Sequence, residues 1–170
     1  MRRIAMLGRT LLVAVCIMWL GAAGVGGQSA RQGETSKRFI GTWRLASIVG
    51  GTAAGAATRG AHPTGVIVYD ATGHMAAQIM PDRVRPKYAG TVPTPDEARA
   101  AVVGYTAYFG TYTIDERAQT VTHHREGNIN PGGIVHGVRR YEFAPGDRVI
   151  LTPIDNPQAP PTHLTWERIK

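Results

Sequence analysis

The chain has 170 residues, 43% of them hydrophobic and 7% aromatic, with a net charge of +7 and one cysteine. That length suits one domain with its own core, and a lone Cys16 excludes an internal disulfide, so stability must come from packing. The charge does not point to nucleic acid: without residues 1–27 the chain loses three of 19 basic and none of 12 acidic residues, leaving +4, and the basic run Arg83-Val84-Arg85-Pro86-Lys87 lacks interleaved aromatics.

Arg2, Arg3 and Arg9 precede the apolar run from Leu11 to Leu20 and the small-residue stretch from Gly21 to Gly27, the pattern of a secretory signal. Cleavage after Gly27 places Val25 and Gly27 at the small-residue positions, while cleavage near Ala30 puts bulky Gln28 there. The expectation is a signal helix over 1–27 and export to the periplasm or beyond. The alternative is an uncleaved N-terminal anchor, although the run is shorter than the roughly 20 residues of a spanning helix. Residues 28–37 are small and polar and read as a flexible spacer, with the folded domain over 38–170.

The first strand carries Gly41-Thr42-Trp43-Arg44-Leu45, in which Trp43 and Leu45 share a face. The last carries Trp166-Glu167-Arg168. If the two strands pair, the Arg168 guanidinium covers the Trp43 indole and the sheet closes; otherwise Trp43 is simply a core aromatic and Arg168 a surface charge. Gly50 to Gly60, rich in Gly, Ala and Thr, reads as a loop without regular structure. Strand pairs are expected around Ala71-Thr72-Gly73, around Asp115 to Gln119 and around Pro145-Gly146-Asp147, because β-rich runs flank each turn signal. Thr94-Pro95-Asp96-Glu97 is a capping sequence that predicts one short helix, Pro95 to about Gly104, able to lid a barrel mouth. Short, evenly spaced strands point to an antiparallel sandwich or barrel.

From Phe39 to Lys170 the chain resembles the lipocalin-like domain family of small bacterial and fungal proteins. The resemblance rests on Gly41-Thr42-Trp43-Arg44-Leu45, His62-Pro63-Thr64-Gly65 before Tyr69, Gly73 before Met75, Gln78-Ile79-Met80 and Pro95-Asp96-Glu97. It continues through Gly104-Tyr105, Ala107-Tyr108, Gly110-Thr111-Tyr112, Val121 with His123-His124, Asn130-Pro131, Arg139 and Leu151-Thr152. It implies an all-β, up-and-down antiparallel barrel of about eight strands with a central cavity for a small apolar molecule. After Asn130-Pro131 the chain runs Gly132-Gly133-Ile134-Val135, departing from the aromatic and glycine common in the family at that loop.

Alternation identifies the inward face of each strand. Val121 brings His123 inside, with Arg125 following near the mouth, and leaves Thr122 and His124 outside. Tyr141 and Phe143 bring Arg139 inside; Tyr112 pairs with Ile114 and Trp166 with Leu164. The expected ligand-lining set is therefore Tyr69, Gln78, Tyr108, Tyr112, His123, Arg139, Tyr141 and Trp166, an apolar lumen with a few polar groups.

The primary expectation is a binder of a small, mostly apolar molecule, with a carbonyl or anionic end near Arg139. A second is an isomerase or cyclase in which His123 abstracts a proton while Arg139 and Tyr112 stabilise the developing oxyanion. A third is a non-catalytic interaction module on a filled barrel. Turnover and oligomeric state are left open. No metal site is expected, since His123 and His124 point to opposite faces and His62, His74, His136 and His163 lack ligand spacing. No nucleotide-binding or nucleophile-elbow motif occurs, so no cofactor is expected, nor insertion of the mature domain into a membrane.

Overall fold

β-branched and aromatic residues alternate with polar ones through most of the chain, and in the computed structural model, which describes residues 33–170, these runs form strands around one lumen. They are β1 (Gly41–Gly50), β2 (Thr64–Tyr69), β3 (His74–Met80), β4 (Thr106–Asp115), β5 (Thr120–Asn128), β6 (His136–Ala144), β7 (Arg148–Pro153) and β8 (Thr162–Arg168). Each pairs antiparallel with its neighbours in sequence, and β8 returns to β1, so the sheet is a closed eight-stranded up-and-down barrel. Closure leaves no unpaired strand edge.

Three helices are added among the described residues: α1 over 33–39, α2 (Ala53–Arg59) and α3 (Pro95–Val102). α3 starts as its sequence demands. Thr94 caps the Glu97 amide and the Glu97 carboxylate caps the Thr94 amide, with Pro95 in the first turn. It stops at Val102, and Gly104 then turns the chain with φ 77°. The expected loop over Gly50 to Gly60 is corrected: Ala53–Arg59 is helical, because Thr52 caps the Gly55 amide and the alanines favour helix once a cap is present. The 28–37 spacer is helical from residue 33 onward. The signal over 1–27 lies outside the described residues.

The two barrel ends differ. Short turns at 70–73, 116–119 and 145–147 lie at one end with α1, while α2, α3 and the connections 129–135 and 154–161 lie at the other. The short-turn end is sealed. Trp43 pairs with Arg168 in the β1–β8 register, and the guanidinium carbon lies 4.1 Å from the indole centroid. Arg168 also donates to the carbonyls of Ile40 and Arg38 at 2.5 Å each, while Trp43 Nε1 donates to the Phe39 carbonyl at 2.8 Å. These bonds hold Phe39, fully buried, inside the barrel, where its ring meets Tyr69, Tyr141 and Phe143 edge to face at 5.1 to 5.3 Å.

Candidate functional site

The lumen is divided by height. Its lower half is a solid aromatic layer built on Phe39, with Trp43, Tyr69 and Tyr141 buried and Tyr112 and Phe143 packed against them. The upper half contains a cavity of about 150 Å³ lined by Ile67, Ala77, Ile79, Thr106, Tyr108, Arg125, Arg139, Leu151, Pro153, Leu164 and Trp166. A cavity of that volume accepts a molecule the size of benzene. Larger grooves of about 620 and 460 Å³ run over the outside of β6–β8 and beside α3. Their walls include the outward-facing Arg140 and Glu142 or the exposed Lys87 and the half-buried Glu97.

His123 stands between the two halves. Its Nε2 lies 2.7 Å from the Tyr69 hydroxyl and its Nδ1 3.0 Å from the Tyr108 hydroxyl, and the residue is fully buried. A neutral imidazole satisfies both contacts, donating at one nitrogen and accepting at the other. Burial, then the positive charges of Arg139 and Arg125, hold its pKa well below the ordinary histidine value. Burial likewise raises the Tyr69 hydroxyl well above the ordinary phenol. The central chain Tyr69–His123–Tyr108 is thus an uncharged network across three strands.

Above it lie two guanidinium groups. Arg139 is 8% exposed and donates through Nη1 to the Gly137 carbonyl at 2.7 Å. Arg125 sits at the mouth, donating through Nη1 to the Ile134 carbonyl at 3.2 Å, and desolvation lowers its pKa from the ordinary value. Both face the Tyr108 ring, at 4.2 Å for Arg125 and 5.8 Å for Arg139. They reach the same place because residue 137 has no side chain: a Cβ there would lie 2.5 Å from Arg139 Nη1 and 3.1 Å from Arg125 Nη2.

The expected site residues separate accordingly. Tyr108, Arg139 and Trp166 line the cavity, and His123 lies directly beneath Tyr108. Tyr69, Tyr112 and Tyr141 face inward as expected but belong to the packed lower layer, where Tyr112 donates to the Asp70 carbonyl at 2.9 Å. Tyr112 is therefore apart from Arg139 and does not complete a catalytic set with it. Gln78 is corrected. Met75, Ala77 and Ile79 carry the inward phase of β3, so Gln78 is exposed on the outer surface, where Tyr105 donates to it at 3.3 Å. The apolar alternation Met75, Ala77, Ile79 carries the signal for this in the sequence. Missing from the expected set were the aliphatic walls and Gly137, whose role shows only when the two arginines are placed in space.

His123 and His124 do point to opposite faces. His124 instead meets His136 across the outer surface, Nδ1 to Nδ1 at 3.0 Å, and among the described residues no group of three or more ligating side chains gathers. Nor, among them, is any helix long and apolar enough to cross a membrane.

Comparison with curated proteins gives no match. A family model described as a lipocalin-like domain matches residues 40–169.

Proposed function

The chain belongs to the lipocalin-like domain family, and from that premise we propose that it is an exported carrier or sensor of a small, mostly apolar molecule held in the upper half of the barrel. The observation that carries this reading is the cavity of about 150 Å³, whose walls are Ile67, Ala77, Ile79, Leu151 and Leu164 with a small number of polar groups on one side. Apolar walls with few, placed polar groups are the usual makeup of a small-molecule site. A solid aromatic floor beneath it limits the occupant to a compact one.

The isomerase or cyclase alternative is less well supported. A general base must reach the substrate proton; both nitrogens of His123 are engaged by tyrosine hydroxyls, and the side chain does not line the cavity. The reading as a mere interaction module requires a filled barrel, which the upper cavity opposes.

Native mass spectrometry of the full chain purified from its own host tests the binding reading. A retained small molecule is expected, and Ala77→Phe, which puts a ring into the cavity, should abolish its retention while the variant stays folded. A wild-type protein that carries nothing, and that also binds no member of a panel of benzene-sized compounds, contradicts it.

A further inference from the structure

Two buried donors on side chains that line the cavity lack a hydrogen-bond partner, and a third side chain, cationic, lies beside them. Trp166 is 2% exposed and its Nε1 has no acceptor, and Arg125 Nε is buried without a partner; beside them Arg139 donates through Nη1 to the Gly137 carbonyl. Buried polar atoms without partners are rare, because each forfeits its hydration for nothing. Here all three side chains line one small cavity.

Charge points the same way. Among the described residues, the ion pairs join Lys37 to Glu34, Arg44 to Glu167 and His74 to Asp70, so no carboxylate closes on Arg125 or Arg139. Asp155, the acidic group whose charge is felt by Arg125, has its Oδ1 taken by the Val138 amide at 2.6 Å. Two like charges thus converge on Tyr108 beside a bare Cα, in a desolvated setting where their repulsion is weakly screened. The central histidine, held neutral, adds no competing acceptor of negative charge and no third cation. The opposite wall is aliphatic.

Resting on the binding reading above, we propose that the cavity is an acid-recognition site, whose ligand is a compact organic monocarboxylate: the carboxylate lies between Arg125, Arg139 and Trp166 Nε1, and the apolar body lies against Ile67, Ala77 and Leu164. A guanidinium fork matches the two oxygens of a carboxylate, and an indole N–H supplies a third, uncharged donor. The volume sets the scale of the body at about one benzene ring.

Benzoate and benzyl alcohol share one phenyl ring and differ by a single oxygen atom and by charge, which makes them the probes of choice. Isothermal titration of the full chain at pH 7 should show benzoate saturating one site and binding about tenfold or more tighter than benzyl alcohol, the difference a charge-assisted bond provides. Arg139→Met should collapse that preference to about one, and Trp166→Phe, which keeps a six-membered aromatic ring but removes the N–H, should reduce it several-fold. If Arg139→Met fails to fold, Arg125→Met serves the same purpose. Benzyl alcohol binding as tightly as benzoate would overturn the acid-recognition inference and leave the cavity reading standing. Saturable binding of neither would overturn both, whereas a benzoate preference unchanged in every arginine variant would overturn the acid-recognition inference alone.

Discussion

A histidine clamped between two phenols makes its own demand on pH. Unfolded, His123 takes up a proton near pH 6.5; folded, burial and the guanidinium charges of Arg139 and Arg125 lower its pKa well below that. Between those two values the unfolded state binds more protons than the folded one, so stability present above pH 6.5 is lost as pH falls. Urea denaturation between pH 7.5 and 5 should therefore show stability falling with a slope of up to about 1.4 kcal/mol per pH unit. His123→Gln should lower stability at neutral pH and flatten that slope, whereas parallel slopes in the two proteins would mean that the ring titrates normally in the folded state. The inward position of His123 and Arg139 was legible from alternation with Val121, Tyr141 and Phe143. What alternation cannot reveal is height along the barrel axis, and height decides that Tyr112 belongs to the floor while Tyr108 belongs to the cavity.

Elements tie that floor in place. Arg168 on β8 covers Trp43 on β1 and donates to the carbonyls of Arg38 and Ile40 at the end of α1, so one side chain joins the two closing strands and the helix that inserts Phe39. Arg168→Ala should cost about 2–3 kcal/mol in urea denaturation, the sum expected from a cation–π contact and charge-assisted bonds in a partly exposed setting. A loss under about 0.5 kcal/mol would mark the guanidinium as ornamental to the seal, on the scale of an exposed ion pair. The Trp43–Arg168 pairing and α3 could be read in advance because each has a chemical signature, an aromatic facing a fork and a complete capping box. α2 could not. Its Gly55 and run of alanines lack an apolar face, none of its residues is buried, and a cap at Thr52 is a weak signal within a Gly-rich stretch. The bulges between Leu45 and Ser47 on β1 and opposite Phe109–Gly110 on β4 are equally silent in the sequence. The second takes up Glu126, beyond His123 and Arg125, and so leaves their inward phase intact.

At the scale of the whole molecule, closure makes a cylinder, and the unequal lengths of the connections make its ends unequal. Short turns and α1 seal one end with aromatic rings; the long connections surround the other, where Arg125, Thr106 and Pro153 reach the cavity. The hollow is consequently confined to the upper part of the lumen, smaller than an open barrel would suggest. The central claim, that this upper cavity receives a compact ligand at Trp166, has an internal control in the molecule. Trp43 Nε1 is already bonded to the Phe39 carbonyl at 2.8 Å, whereas Trp166 Nε1 has no acceptor. In nitrogen-15 spectra of the full chain titrated with benzoate, the indole N–H signal of Trp166 should move downfield and saturate at one equivalent site while that of Trp43 stays still. A titration in which both indoles stay still, or in which both move together without saturating, would contradict the account.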